Sequence, residues 1–189
     1  PARFVEPTLK QLKDGFVKAC ADNRIEVSGV EVLSTPRRLT LLVESIADSQ
    51  LDLEEVRTGP PVKAAYRDGA PTKAAEGFAR GQGVAVEDLM TVETAKGEYI
   101  AAKVFEKGGE TRALLPAILE SMVRSLSFPK SMRWADYSES FGRPVRWLLA
   151  VADGDVIPFE FAGVKSGRQT MGHRFAAPGA IDVTGISDY

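Results

Sequence analysis

Basic residues held beside rigid turns or aromatic neighbours are the part of this sequence best suited to chemistry. Arg37 and Arg38 follow Thr35-Pro36, and Lys63 follows Gly59-Pro60-Pro61. Lys73 and Arg80 stand seven residues apart, a spacing that returns both to one helix face. Lys130 and Arg133 precede Trp134, while Arg143 and Arg146 lie around Pro144 and precede Trp147. Lys165, Arg168, His173 and Arg174 punctuate a glycine-rich end. Fixed cations of this kind hold phosphates, planar side chains take up unstacked bases, and arginine adds a forked two-point grip. The competing expectation is a solvated mixed surface, with these arginines paired to Asp136, Glu139 and Glu160 and with Trp134 and Trp147 in the core. For Trp147, inside an apolar run, the core is the expected place.

Signatures of catalysis are absent. The sequence has no Gly-x-x-x-x-Gly-Lys-Ser/Thr phosphate loop and no Gly-x-Ser-x-Gly nucleophile turn. A Ser-His-Asp site would need the single histidine, His173, which has no acid nearby in sequence to orient it. A structural or RNA-contacting histidine is the expectation. Asp68, Asp153 and Asp155 sit in glycine turns, and turn chemistry explains them without a metal. Pro129-Lys130-Ser131-Met132-Arg133-Trp134 differs in order and spacing from the Lys-Met-Ser-Lys-Ser loop of class I synthetases, and the companion His-x-Gly-His is missing. No catalytic, cofactor-binding or metal-ligating residue is therefore assigned.

The bulk properties agree with an ordinary globular chain. With 189 residues, 44% hydrophobic and 26% charged, it can build a core without disulfides or metals. One cysteine and one histidine exclude an internal disulfide and a Cys/His zinc site, and fit a reducing compartment. A net charge of −2 argues against a polycationic binder but leaves room for a local basic face. Carboxylates gather at Asp48, Asp52, Glu54 and Glu55, and cations in the last third. No apolar run is long enough to span a membrane. The first residues lack the apolar stretch of a signal peptide and an initiator methionine, as expected of a cut or continued start.

The elements that must position these residues follow from periodicity. Val5, Leu9, Leu12, Phe16 and Cys20 predict an amphipathic helix over 7–22, with Cys20 as a small core residue. Residues 25–34 and Arg38 to Ile46 predict two strands around the Thr35-Pro36 turn, the second buried on both faces. Gly59-Pro60-Pro61 is a boundary or rigid loop, and Thr72 is the N-cap of a helix running from Lys73 to Arg80 that stops at Gly81 and Gly83. Gly77, costly within a helix, suggests a close neighbour. Met90 to Thr94 and Glu98 to Phe105 form a hairpin. A second long helix opens near Thr111, carries Pro116 early and stops before Pro129. Val145 to Ala152, the Asp153-Gly154-Asp155 turn and Val156 to Phe161 form another hairpin, with Pro158 on an edge; beyond Gly163 no element is expected. The fold class is α+β, divided as 1–58, 59–162 and 163–189.

Several stretches carry a resemblance. Thr35-Pro36-Arg37-Arg38-Leu39, Gly59-Pro60 with Lys63-Ala64-Ala65, and the run from Pro71 to Arg80 resemble the beta subunit of bacterial glycyl-tRNA synthetase, near its N-terminus. Lys96-Gly97-Glu98, Pro129 to Trp134, Arg143 to Trp147, Ser166-Gly167-Arg168 and Gly172-His173-Arg174-Phe175 resemble it too. The resemblance implies a cytoplasmic, ATP-dependent ligase of glycine to tRNA-Gly, built as a heterotetramer of two alpha and two beta chains. It places the class II catalytic core, with its ATP and Mg, in alpha, and leaves no cofactor in this stretch. The beta chain then contacts tRNA-Gly, the alpha subunit, or both, without a membrane. The resemblance also implies a strand ending in a Glu-Leu-Pro-like turn just before Pro1, so an edge of the first sheet is expected to be unpaired or re-paired. Pure scaffolding without RNA contact, and an editing-type hydrolytic site near His173, remain as alternatives.

Overall fold

The computed structural model describes residues 2–173, 175–176 and 178–189; Arg174 lies outside the described residues. In chain order the elements begin with α1 (Ala2–Asp22), β1 (Val27–Thr35), β2 (Arg38–Ile46), β3 (Leu53–Pro61), α2 (Val62–Ala65), β4 (Tyr66–Arg67), β5 (Ala70–Pro71), α3 (Lys73–Gln82), β6 (Met90–Thr94) and β7 (Gly97–Glu106). There follow α4 (Thr111–Ser125), β8 (Leu148–Leu149), β9 (Val151–Ala152), β10 (Asp155–Val156), β11 (Glu160–Phe161), β12 (Val164–Gly167), β13 (Gln169–Met171) and β14 (Ala180–Asp182). Short 3-10 turns cover Val86–Asp88 and Ile186–Asp188. Helices are combined with mainly antiparallel strand pairs, which is the α+β class expected. Among the described residues no helix is long and apolar enough to cross a membrane.

Two compact units result: residues 1–50 with 109–189, and the inserted residues 51–108. They do not divide at 58 and 162 as the glycine and proline signals suggested. β3 runs through Gly59-Pro60-Pro61 as the edge of a β3-β7-β6 sheet, with its register shifting between Thr58 and Pro61. An edge strand tolerates prolines because it needs no ladder donor on its open side. Likewise β11 and β12 pair across 162 through a turn in which Ala162 and Gly163 both have positive φ (48° and 74°). Such a turn matches strand twist, but Ala-Gly is not its usual sequence, so the hairpin was not legible.

In the larger unit, α1 and α4 pack along Leu12, Phe16 and Cys20 on one side and Leu115, Ile118, Met122 and Leu126 on the other. Helix α1 begins before Pro7 rather than at it; Phe4 packs edge-on against Phe128 at 5.9 Å, and Thr8 Oγ1 donates to the Phe4 carbonyl at 2.7 Å. The hairpin β1–β2 lies against α1 through Val30, Val32, Leu39, Leu41 and Val43. Its two strands cover neither face fully, so β2 is half-buried along most of its length rather than buried on both faces. The outer edge of β2 takes no strand partner among the described residues. Gln50 closes the stem from which the inserted unit leaves. Its backbone N–H donates to the Gly109 carbonyl at 2.9 Å, its Oε1 accepts from the Gly109 N–H at 3.1 Å, and its Nε2 donates to the Asn23 carbonyl at 2.7 Å.

In the inserted unit, α3 rests on the sheet. Thr72 Oγ1 accepts from the Ala74 N–H at 3.3 Å and donates to the Ala64 carbonyl at 2.7 Å, which is the N-cap expected. Gly83 ends the helix in the left-handed region (φ 70°). Phe78 packs on Gly59 so closely that an added Cβ there would lie 2.8 Å from the ring. Gly77, expected to have a close neighbour, has nothing within 4 Å of such a Cβ.

The two glycines should therefore respond oppositely. Gly59→Ala destabilises by about 1–3 kcal/mol through overpacking, while Gly77→Ala stabilises by up to about 1 kcal/mol through helix propensity; urea unfolding of both variants checks the signs. Burial pushes the Cys20 thiol up to about 11. Iodoacetamide at pH 8 should thus label Cys20 only after denaturation, as mass spectrometry would read.

Candidate nucleic-acid interface

The larger unit opens a cleft of about 1950 Å³ between the β1–β2 hairpin and the segment 141–153. Its deep wall is apolar, from Phe16, Leu41 and Met122 among others, and its rim carries Arg37, Arg143 and Arg146 around Trp147. The Arg37 guanidinium lies over the Trp147 ring, 5.8 Å from the centroid. A second concavity of about 610 Å³ is lined by Arg146 and Trp147 again, joined by Lys165 and Arg168.

Local structure explains the convergence. The turn at Pro36 delivers Arg37 and Arg38 to the tip of the hairpin, where Thr35 pairs with Arg38. Strands β8 and β12 pair in parallel, Leu148 with Ser166 and Leu149 with Gly167. Arg146-Trp147 and Lys165 therefore enter or flank neighbouring strands at the same end, and Arg168 follows where β13 begins. Ser166 Oγ locks this arrangement, donating to the Ile157 carbonyl at 2.7 Å and accepting from the Phe159 N–H at 2.8 Å.

The electrostatics do not match a surface of paired charges. Among the described residues, Arg37, Arg143, Arg146, Lys165 and Arg168 make no ion pair. Glu139, expected as their partner, instead accepts from Arg124 at 2.8 Å, and that hydrogen bond holds its carboxyl below the usual range. Trp147 is half-buried at the cleft rather than in the core, because regular strand structure starts only at Leu148.

Of the other sequence candidates, Arg38 also lines the larger cleft. Arg38 is half-buried and its Nη2 donates to the Met171 carbonyl, so part of its fork ties the hairpin to β13. Lys130 and Arg133 are exposed on the loop after α4, which is closed by paired hydrogen bonds between Met132 and Phe141, and line neither concavity. His173 lines neither as well; its Nδ1 accepts from the N–H groups of Phe175 (3.3 Å) and Ala176 (3.0 Å), capping a turn. Lys63, Lys73 and Arg80 belong to the inserted unit and are all exposed there. Sequence reasoning passed over Gln169 and Asp182, which also line the smaller concavity and are joined at 3.0 Å. Only the β13–β14 pairing brings them together, so no local signal marked them.

No group of three or more His, Cys, Asp or Glu suited to a metal occurs among the described residues. What the geometry defines is a cleft on an α+β scaffold in which Arg37, Arg143 and Arg146 gather near Trp147, while Glu6, Glu44, Asp48 and Asp153 line other parts of it. Comparison with known proteins supplies the family: residues 1–189 match the glycyl-tRNA synthetase beta subunit family. The chain is 46% identical over 189 residues to the glycine–tRNA ligase beta subunit of Chromohalobacter salexigens and 45% identical over 190 residues to that of Nitratidesulfovibrio vulgaris. It is 46% identical over 190 residues to that of Moorella thermoacetica. All of this chain is covered in each case, but only 28%, 27% and 27% of the relatives. The chain belongs to the glycyl-tRNA synthetase beta subunit family and spans just over a quarter of the length of these members.

Cations that pair with no carboxylate are not held for stability. Single alanine substitutions at Arg146, Lys165 and Arg168 should each change unfolding free energy by no more than about 0.5 kcal/mol, measured by thermal or urea denaturation.

Proposed function

We propose that this chain is a non-catalytic, tRNA-contacting part of an aminoacyl-tRNA synthetase that ligates glycine to tRNA-Gly with ATP in the cytoplasm. In this reading the ATP and Mg chemistry belongs to an alpha subunit, two alpha and two beta chains form the enzyme, and residues 1–189 are inactive alone. The observation that carries RNA contact is the rim of Arg37, Arg143, Arg146, Lys165 and Arg168 around Trp147, drawn from three separated sequence motifs and free of ion pairs among the described residues. Guanidinium groups grip phosphate by two parallel hydrogen bonds, and an indole offers a stacking surface.

A second reading, assembly, draws on the inserted unit. Val56, Met90 and Phe105 fall on one face of its sheet by the register Val56↔Lys103 and Met90↔Ala101, and are 49%, 37% and 64% exposed. Lys103 and Glu54 share that face as an ion pair, and a mixed surface with exposed apolar side chains of this kind suits a protein partner such as the alpha subunit. The two readings concern different units and are compatible.

The test is tRNA-Gly binding by the full-length beta chain with its alpha partner across a salt series. Replacing Arg37 and Arg146 by alanine should weaken binding at least tenfold at low salt. It should also reduce the log–log salt slope by about 0.7–0.9 for each phosphate that is no longer neutralised. Unchanged affinity and slope would remove RNA contact from this cleft; loss of alpha association on Phe105→Ser would support the assembly role of the other unit.

A further inference from the structure

We infer that the smaller concavity, bounded by Trp147, is a seat for one unpaired nucleotide whose base carries an exocyclic amino group. The inference rests on the tRNA-contact reading and sharpens it, from a phosphate-attracting rim to a site that distinguishes a flipped-out or single-stranded base from a duplex.

Three observations point to it. First, the concavity, of about 610 Å³, lies within the range of sites that take small ligands. Secondly, Arg146, Lys165 and Arg168 line it and make no ion pair among the described residues, so a phosphate there would meet available cations. Thirdly, the same concavity holds an aromatic ring and a carboxylate. Gln169 Nε2 donates to Asp182 Oδ1 at 3.0 Å, which fixes the carboxylate and leaves Oδ2 as an acceptor. A carboxylate inside a basic pocket would weaken a site built for phosphate alone. It is useful where a base presents N–H groups, as Asp and Glu accept from amino groups on base edges. Phosphate, stacking surface and edge acceptor are the three contacts that recognise an unstacked base.

Arg37 over Trp147 adds to the platform. A guanidinium on one side of an indole stiffens it and contributes cation–π attraction, so the ring needs little ordering when a base arrives.

The experiment uses the full-length beta chain with its alpha partner, in a Trp134→Phe background to simplify the emission reporting Trp147. Hexa-adenylate, hexa-uridylate, their duplex and AMP are titrated at fixed salt, following quenching that is lost in a Trp147→Phe control. The expected result is quenching by hexa-adenylate, at least tenfold tighter than by hexa-uridylate or the duplex. Lys165→Ala/Arg168→Ala should weaken it at least tenfold, and Asp182→Asn should narrow the adenylate-over-uridylate preference. AMP should bind much more weakly than the hexamer; equal binding would make this a free-nucleotide site and overturn the inference. Equal binding of duplex and single strand without Trp147 quenching would also overturn it. In that case tRNA-Gly binding still sensitive to Lys165→Ala/Arg168→Ala would leave the tRNA-contact reading standing. If neither the oligonucleotides nor tRNA-Gly respond to those substitutions, both fail.

Discussion

The apolar seam between α1 and α4 is the constraint on which the larger unit depends. Leu12, Phe16 and Cys20 meet Leu115, Ile118, Met122 and Leu126 there, although the two helices are separated in sequence by the whole inserted unit. Burying a side chain of this size is worth about 1.5–3 kcal/mol, and the seam contains several. One side supports the β1–β2 hairpin; Ile157 joins the same core and anchors the segment that returns toward β11. The hairpin tip carries Arg37, and the segment before β8 carries Arg143, Arg146 and Trp147. The elements that border the cleft are thus packed against one seam.

The inserted unit leaves and rejoins the host through a closed stem. Its two stem ends need to lie close together on the host, and Gln50 and Gly109 join them by backbone and side-chain hydrogen bonds. On the inserted side, Asp52 Oδ1 accepts from the Gly108 N–H at 2.7 Å. Polar pairs at both ends let each unit build its own core: the helical seam in one, and Ala65, Ala75 and Ile100 beneath Phe78 in the other.

Elements with strong local rules were legible in the sequence. The 3.6-residue spacing of Leu12, Phe16 and Cys20 located α1, Thr72 and Gly83 bracketed α3, and the run before Pro129 gave α4. What depends on distant pairing was not. The insertion could not be read because Gln50 and Gly109 meet only in space. Strands β11 to β14 are two to four residues long, too short for periodicity to mark. Of the candidate cations, those beside Pro36, Trp147 and the Ser166-Gly167 end of β12 converge, because hairpin and parallel pairing bring those motifs together. Arg38 is partly occupied by Met171, and His173 by the turn it caps, a distinction that residue type cannot express. Trp147 was expected in the core from its apolar neighbours, yet it precedes the first paired residue of its strand.

A tRNA-binding role for the larger unit requires that the rim around Trp147 face the RNA. Hydrogen–deuterium exchange of the full-length beta chain with its alpha partner, with and without tRNA-Gly, tests that most directly. Added protection on tRNA binding is expected in 35–40, 143–149 and 164–171 together. Protection confined to other parts of the protein, with these three segments unchanged, would contradict it.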